Sequence, residues 1–410
     1  GASGYGLFLS YLAEFNEDDL SDFISRLAPS REYQPEILRP YLEIAYSSEF
    51  LLSGAEAVAK LLERWHVTAS FAFPGTSELA LCHSITQVQN CRLMNSFGDK
   101  EAVFLSAGAS LFAPSQSVAI LHGARGLTNA LGAIAETRRN EVGTIVLVGL
   151  PSTRSAVYLP PHGEDRLFEA AVLLSKHSVE VVLDSDGSPL ATHNHPLLAA
   201  LCSAMEWAST RPFGPTIIGL PQDVLEKRWV PWPAVLSAKI NTARINTARP
   251  VPSEAAIATA ARLIAAARRP VLFIDDYYLR YDDAIEALEL LAALAAGVIY
   301  QLRYQRGAVL FERYPIWRSS YFAGWYDPYD PGHRRELFQS DLVITIEDRN
   351  MYPRVMGNFP PCRVIAITSD ARKTTKNGYL RNSDVVLEGE AALTVRMVAE
   401  QLRKFRTTRP

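Results

Sequence analysis

The chain has 410 residues, a formal net charge of −3 and a composition that is 48% hydrophobic and 21% charged. This length exceeds one ordinary hydrophobic core and predicts two or three domains. The small net charge gives no electrostatic case for binding nucleic acid or an anionic membrane. No apolar run reaches the roughly 18 residues that a membrane span requires.

The cysteines carry no sign of a metal site or a disulfide framework. Cys82, Cys91, Cys202 and Cys362 are scattered along the chain without metal-ligand spacing. We interpret them as buried, reduced thiols, which are typical of a cytoplasmic protein.

Residues 1–52 are predicted to form a helical extension. In the stretch NEDDLSDFISRLAP, Asn16 is a candidate N-cap, and Leu20, Phe23 and Ile24 fall on one helical face. An amphipathic arm of this kind has no core of its own. It must therefore pack either on its own chain or, as a docking arm, on a partner protein.

Residues 53–235 alternate helical and strand-like patterns. Several strand patterns are continuously apolar, namely ASFAFPG, QSVAILHG, GTIVLVGLP and GPTIIGLPQDV. Continuously apolar strands separated by helices indicate a parallel sheet that is covered on both faces. Residues 236–251 contain the polar duplicate INTARINTARP and predict a linker.

Residues 252–410 begin the same alternation again. The segments PVLFIDD, SDLVITIED and CRVIAIT are predicted strands, and AALTVRMVAEQLRKF is the closing helix. The aromatic, proline-rich segment ERYPIWRSSYFAGWYDPYDPGH is predicted to be a long ordered loop. The fold class expected is therefore α/β, with two doubly wound parallel-sheet domains and a helical N-terminal extension.

The order of these motifs resembles that of thiamine diphosphate-dependent decarboxylases and acetohydroxyacid synthases. FAFPGTSE matches the first strand and Pro-Gly turn of the family's pyrimidine-binding domain. HGARGLTNALGAIAETRRNEVGTIVLVG matches its glycine turn, its Thr-Asn, the following helix and the next strand. LLSKHSVEV and FGPTIIGLPQDV match later segments, so residues 53–235 resemble that domain, while residues 252–410 resemble the family's central domain.

The family's third domain binds diphosphate and magnesium through Gly-Asp-Gly and a later asparagine. This sequence contains no counterpart of that motif. The string DSDGSPLATHN lacks the strand-to-helix context that phosphate binding needs. The resemblance therefore implies that thiamine diphosphate is shared with a second subunit carrying that domain. It also implies that this partner holds Mg²⁺ and that an α2β2 heterotetramer is the minimal active unit. The N-terminal arm and the C-terminal segment LRKFRTTRP favour a natural two-chain enzyme over a shortened chain.

The activity that the resemblance implies is that of an acetolactate synthase-like carboligase or decarboxylase, active only with its partner and serving a biosynthetic pathway. It would decarboxylate pyruvate or another 2-oxo acid and transfer the acyl or hydroxyalkyl unit to an acceptor. Two alternatives stay open: a non-catalytic scaffold or regulatory subunit, and a simple decarboxylase that releases an aldehyde. FAD is not expected, because DDYYLRYDD replaces the glycine-containing turn found in flavin-binding synthases.

The acid that activates the cofactor is open between two residues of GDKEAVFLSAGASLF. In the family a glutamate at a strand end hydrogen-bonds N1′ of the cofactor pyrimidine. Nine positions before Gly108, where the family has that glutamate, this chain has Asp99. Glu101 lies two residues later, about 200° around a helix, and would need a bulge at Gly98 to enter the site. Both are catalytic candidates, and the alternative is that both only complement a helix N-terminus.

Other candidates lie in turns that the resemblance places beside the cofactor or substrate. His122 is either a proton relay or a hydrogen-bonded turn histidine. Arg125 is either a clamp for a substrate carboxylate or phosphate or a surface arginine. His162 is a candidate substrate-facing group, and Glu78 is either a substrate contact or a helix-start acid. The cofactor-binding candidates are Pro74, Gly75, Thr76, Gly126 and Asn129. No metal ligand is predicted in this chain.

Overall fold

A computed structural model of the chain describes residues 51–113, 115–158, 167–182, 195–240, 250–281, 283–302, 319–349 and 351–407. The chain divides into two compact units, Gly1–Ile245 and Asn246–Pro410. The predicted N-terminal helices lie outside the described residues except at Leu51 and Leu52, which belong to a strand. Of the INTARINTARP duplicate, the described residues are the first and the last, Ile240 and Pro250. These segments, and the domain boundaries drawn through them, stay predictions.

Unit 1 contains a six-stranded parallel sheet and a two-stranded antiparallel ribbon. Its strands are β1 Leu51–Ser53, β2 Ala69–Ala72, β3 Arg92–Asn95, β4 Ser117–His122, β5 Ile145–Leu150, β6 His177–Glu180, β7 Thr216–Pro221 and β8 Arg228–Pro231. The six-stranded sheet has the order β3-β2-β4-β5-β7-β6, and the ribbon pairs β1 with β8. The central strands β4, β5 and β7 are buried along nearly their whole length, as their continuously apolar sequences predict.

Helices cover both faces of this sheet. They are α1 Gly54–Arg64, α2 Leu79–Thr86, α3 Asp99–Phe112, α4 Gly123–Arg139, α5 Thr153–Ala156, α6 Leu167–Leu174, α7 Pro196–Ser209, α8 Gln222–Glu226 and α9 Trp232–Ser237. One core lies under α1, α2, α7, α8 and α9, and a second core lies under α3, α4 and α6. The prediction of a doubly wound sheet in this unit is confirmed.

The second doubly wound sheet lies in unit 2. Its strands are β9 Pro270–Ile274, β10 Val298–Leu302, β11 Phe322–Tyr326, β12 Leu342–Ile346, β13 Arg363–Thr368 and β14 Val385–Glu388. They are all parallel, in the order β11-β10-β9-β12-β13-β14. Its helices are α10 Glu254–Ala266, a 3-10 helix Asp276–Arg280, α11 Ala284–Ala295, α12 Pro331–Gln339, α13 Pro353–Met356, α14 Ala371–Thr375 and α15 Ala391–Thr407. The fold class predicted from the sequence is confirmed.

One predicted element is wrong. The described part of ERYPIWRSSYFAGWYDPYDPGH is not a loop, because FAGWY forms β11 and the segment from Pro331 begins α12. Aromatic residues favour strands, and a proline in the first helical turn is a helix-start signal. Asp330 completes that signal, since its side chain accepts a hydrogen bond from the backbone N–H of His333 at 2.9 Å.

None of the helices in the described ranges has both the length and the apolar character needed to cross a bilayer.

The start of α1 carries a testable stabilising feature. Ser53 Oγ accepts the backbone N–H of Glu56 at 3.1 Å, and the Glu56 side chain accepts the backbone N–H of Ser53 at 2.7 Å. Losing such a cap costs about 1 kcal/mol, so we expect Ser53→Ala to destabilise unit 1 by about that amount in urea unfolding. Ser237→Ala, at the exposed end of α9, is the matched control and should cost clearly less. Equal effects would show that the cap contributes nothing specific.

Candidate active site

The strand order predicts a ligand-binding crevice at the carboxyl edge of the unit 1 sheet. From β2 the chain goes to β3 on one side, and β4 then lies on the other side of β2. The connections that follow β2 and β4 therefore diverge, and open α/β sheets bind their ligands at such a switch point. The residues that reach this edge come from the turn after β2, the start of α3 after β3, and the end of β4.

Asp99 is the first residue of α3 and is almost fully buried, with 7% of its surface exposed. Its Oδ1 accepts the backbone N–H of His122, the last residue of β4, at 3.2 Å. Burial raises the pKa of the Asp99 carboxyl; the hydrogen bond from His122 opposes this shift, and the charge of Glu78 adds to it. A buried acid with a raised pKa at a strand switch point is a candidate for proton chemistry.

Glu101 lies on a different side of α3. Its side chain is 42% exposed and pairs with Lys100 at 3.4 Å. Two residues along a helix rotate a side chain by about 200°, so the burial of Asp99 turns Glu101 outward. Of the two acids that the sequence left open, the structure brings Asp99 to the crevice and leaves Glu101 at the surface.

Glu78 is wholly buried at the start of α2, and sequence reasoning missed its surroundings. It occupies the N-cap position, as the helix-start interpretation predicts, but its side chain makes no capping hydrogen bond. Its carboxyl turns back to accept hydrogen bonds from the Gly75 N–H and, at 2.7 Å, from the Ser77 hydroxyl. Its Oε2 also lies 2.9 Å from Nδ1 of His122. His122 thus contacts one acid through its backbone and another through its ring.

Three glycines make room for this arrangement. A Cβ on Gly126 would lie 2.4 Å from Oδ1 of Asp99, and one on Gly75 would lie 2.3 Å from Nδ1 of His122. A Cβ on Gly149, near the end of β5, would lie 2.8 Å from the Cβ of Glu78. Each of these contacts is too short for any larger residue to be accommodated without a shift. Glycine inside the apolar strand IVLVGL is the sequence signal that could have indicated such a close approach.

The other predicted site residues do not share the hydrogen bonds of Asp99, Glu78 and His122 described above. Pro74, Thr76, Arg125 and Asn129 are exposed at the same edge of the sheet. Arg125 lies in the first turn of α4, where its backbone carbonyl accepts the Thr128 hydroxyl at 2.9 Å. His162 lies outside the described residues. Among the described residues no group of three or more His, Cys, Asp or Glu side chains is arranged to hold a metal ion.

Comparison with known sequences shows that the segment containing this edge of the sheet matches a protein family. Residues 52–171, which include every crevice residue named above, match the family "Thiamine pyrophosphate enzyme, N-terminal TPP binding domain". Residues 52–171 therefore form a domain of this family. The superfamily resemblance predicted from the sequence is thereby confirmed.

The curated relatives are distant in sequence, but their alignments cover more than half of this chain. An acetolactate synthase of Mycobacterium leprae is 24% identical over 362 residues, covering 86% of this chain and 53% of that protein. A chloroplastic acetolactate synthase 3 of Brassica napus is 23% identical over 259 residues, covering 63% of this chain and 34% of the relative. The chain thus spans at most about half the length of these curated relatives.

Solved structures confirm the fold of the chain. A thiamin diphosphate-dependent enzyme from Mycobacterium smegmatis aligns with a TM-score of 0.67 at 20% identity, covering 86% of this chain and 63% of that one. A 4-hydroxybenzoylformate decarboxylase from Rhodococcus jostii RHA1 aligns with a TM-score of 0.66 at 18% identity, covering 86% and 62%. At these identities the likeness shows the architecture and leaves the reaction to be argued from the site.

Proposed function

We propose that this chain supplies the pyrimidine-binding half of a thiamine diphosphate site, in an enzyme that decarboxylates a 2-oxo acid and transfers the acyl or hydroxyalkyl unit to an acceptor. The observation that carries this proposal is the buried carboxyl of Asp99 at the switch-point crevice. The family match and the acetolactate synthase relatives support the reaction class.

The residues at the crevice fit the aminopyrimidine end of the cofactor. Gly75 and Gly126 allow the His122 ring and the Asp99 carboxyl to lie close to the backbone, because a Cβ at either position would overlap them. Oδ1 of Asp99 accepts the backbone N–H of His122, and the backbone N–H of Asp99 itself also donates to this carboxyl. We assign Oδ2 to the contact with a ring nitrogen of the cofactor.

The proposed work of Asp99 is to hold a proton at the pyrimidine nitrogen N1′. Thiamine diphosphate, once bound, supplies the nucleophilic carbon that attacks the carbonyl of a 2-oxo acid. Burial raises the pKa of the Asp99 carboxyl, which favours the protonated form that donates a hydrogen bond. Aspartate is one methylene shorter than the glutamate of the family, so the ring must come closer to the backbone of α3.

The outer face of α3 supports a partner that completes the site. Phe104, Leu105 and Phe112 are 45%, 44% and 76% exposed, and Gly108 between them faces open space. We call these four residues the α3 face. An apolar surface on the helix that carries the candidate acid is characteristic of a protein interface. We assign it to a second subunit that carries the diphosphate-binding domain and Mg²⁺, in an α2β2 assembly.

This assignment predicts the effect of a charge on the α3 face. We expect Phe104→Asp to weaken association with the partner at least tenfold, because a carboxylate would be desolvated at the interface. Phe338→Asp is the matched control, since Phe338 on α12 of unit 2 is 46% exposed. Titration by calorimetry or analytical ultracentrifugation provides the measurement. Equal affinity of the two variants for the partner would show that the α3 face is not part of the interface.

A second candidate function rests on the identity of residue 99. If the missing methylene abolishes contact with the cofactor, the chain is a non-catalytic scaffold or regulatory subunit that keeps the fold. A scaffold would still bind the partner through the α3 face, but Asp99 would make no contribution to the rate.

The test combines this chain with a subunit that carries the diphosphate-binding domain, in the presence of thiamine diphosphate and Mg²⁺. Release of CO₂ is measured with pyruvate and with larger 2-oxo acids. Activity that Asp99→Asn removes supports the catalytic proposal, whereas an inactive mixture that Asp99→Glu revives supports the scaffold. Product analysis separates transfer to an acceptor from release of an aldehyde.

A further inference from the structure

Glu78 is a buried carboxyl for which the proposed chemistry has not yet given a role. None of its surface is exposed, and it caps no helix. A buried carboxylate is costly unless donors surround it. Its three recorded hydrogen-bonding partners are the backbone of Gly75, the hydroxyl of Ser77 and the ring of His122. Within the described ranges, His122 is the one titratable group hydrogen-bonded to it.

We propose that Glu78 is a positioning residue that holds His122 in the tautomer with its proton on Nδ1, so that Nε2 serves as the proton acceptor of the ring at the cofactor site. The role of Nε2 rests on the proposed function, whereas the tautomer does not depend on it.

Distances to Nδ1 support this tautomer. A carboxylate only accepts hydrogen bonds, so a ring nitrogen 2.9 Å from Oε2 of Glu78 must carry the proton of that contact. When one nitrogen of a neutral imidazole is protonated in this way, the other is left as the acceptor.

The Ser77 hydroxyl is a neighbour that could reverse this assignment. It lies 3.0 Å from Nδ1 and would favour the other tautomer if it donated to that nitrogen. Two better acceptors compete for its single proton: Oε2 of Glu78 at 2.7 Å and the carbonyl of Gly149 at 3.0 Å. The backbone N–H of Gly123 also donates to the hydroxyl oxygen of Ser77, at 3.3 Å. The hydroxyl therefore acts toward Nδ1 as an acceptor, in agreement with the carboxylate.

Packing holds the ring in place. His122 has 14% of its side chain exposed, and Gly75 approaches the ring so closely that a Cβ there would overlap Nδ1. The Glu78 carboxyl is bound to the same turn through the Gly75 N–H. Hydrogen bonds and packing thus connect the ring to the turn after β2 and to the start of α2. Hydrogen-bonding partners such as Glu78 orient a reactive group.

The test measures the tautomer directly in the full chain, without partner or cofactor. Two-dimensional ¹⁵N–¹H spectra of the imidazoles distinguish the two tautomers, and His122→Asn identifies the His122 signals among those of the eight histidines. We expect the wild-type ring to be protonated on Nδ1 at a pH where it is neutral. A wild-type ring protonated on Nε2 would overturn the proposal whatever the variants do.

Glu78→Gln provides the second arm, since its amide can donate to Nδ1 and is expected to shift the ring toward the Nε2-protonated tautomer. Glu136→Gln, at an exposed position on α4, is the matched control and should leave the spectrum unchanged. If Glu78→Gln fails to fold, Glu78→Asp keeps the carboxylate and tests whether the tautomer persists. An unchanged tautomer in a folded Glu78→Gln chain would contradict the positioning role.

Activity of the assembled enzyme is a separate readout. Loss of an orienting partner typically costs 10- to 100-fold, and we expect Glu78→Gln to lower kcat by about that factor with little change in KM. If the spectra give the expected tautomer but the assembled enzyme is inactive, the proposed function fails and the positioning role stands. If the enzyme is active and Glu78→Gln keeps full kcat, the positioning role is overturned.

Discussion

The Asp99→Asn variant is expected to lower the rate of the assembled enzyme by about 10²- to 10⁴-fold, the usual contribution of a positioned acid or base. Asparagine keeps an oxygen that can accept the backbone N–H of His122, so the start of α3 should keep its geometry. It cannot exchange a proton with N1′. The variant therefore separates proton chemistry from packing, and steady-state CO₂ release measures the difference.

The same substitution should stabilise the free chain. Burial is the main reason that the pKa of Asp99 is raised in the fold, so its ionised form opposes folding. The penalty is absent below the unfolded-state pKa of about 4. It grows as the pH rises and is complete above the folded-state pKa. The advantage of Asp99→Asn in free energy of unfolding should therefore be largest at neutral pH and disappear as the pH falls toward 4.

Glu101→Gln is the discriminating comparison for this prediction. The Glu101 side chain is 42% exposed and forms an ion pair with its neighbour Lys100, and exposed pairs of this kind contribute little. We expect less than about a twofold change in rate. If Glu101→Gln loses activity and Asp99→Asn keeps it, the acid has been assigned to the wrong side of α3.

The sequence was sufficient for the fold, but it left the acid open between Asp99 and Glu101. Continuously apolar runs such as GTIVLVGLP predict buried parallel strands because both of their faces must be covered. The spacing from Gly108 favours Asp99 by helical register, whereas a bulge at Gly98 would favour Glu101, and no local pattern decides between them. Local patterns therefore determined the strands, while the burial of Asp99 and the exposure of Glu101 come from the structure.

The contacts of Glu78 were beyond sequence reasoning. An acid just before a helix is a usual start signal, and nothing local distinguishes one that caps the helix from one that turns inward. The difference comes from Gly149 and His122, which are brought close only by the order of strands in the sheet. The strand at Phe322–Tyr326 was missed for a related reason, since prolines around it favoured a loop and its pairing with β10 is a tertiary contact.

Gly126→Ala is expected to reduce activity by about 10² while Gly132→Ala, on the same helix, leaves activity intact. A Cβ at position 126 would lie 2.4 Å from Oδ1 of Asp99, whereas a Cβ at position 132 meets no atom within 4 Å. A displacement of about 1 Å in a catalytic group can cost a hundredfold in rate. Because the group nearest to the new methyl is a side-chain carboxyl, Asp99 should move while the backbone of α4 stays in place.

Stability should change differently in the two variants. Alanine inside a helix is favoured over glycine by about 0.5–1 kcal/mol, and Gly132→Ala should gain this amount in full. Gly126→Ala should gain less or lose stability, since the carboxyl must give way within a buried site. Urea unfolding of the unit 1 transition measures both.

Removing the carboxyl tests whether Asp99 causes the difference. In an Asp99→Ala background the methyl at position 126 no longer meets Oδ1, so Gly126→Ala should recover the helix gain that Gly132→Ala shows in the wild-type chain. The two substitutions should therefore couple by about 0.5–3 kcal/mol, as residues in contact do. Additive effects would mean that glycine is required at position 126 for a reason other than Asp99. The close contact between position 126 and Asp99 would then be no evidence that Asp99 takes the place of the family's glutamate.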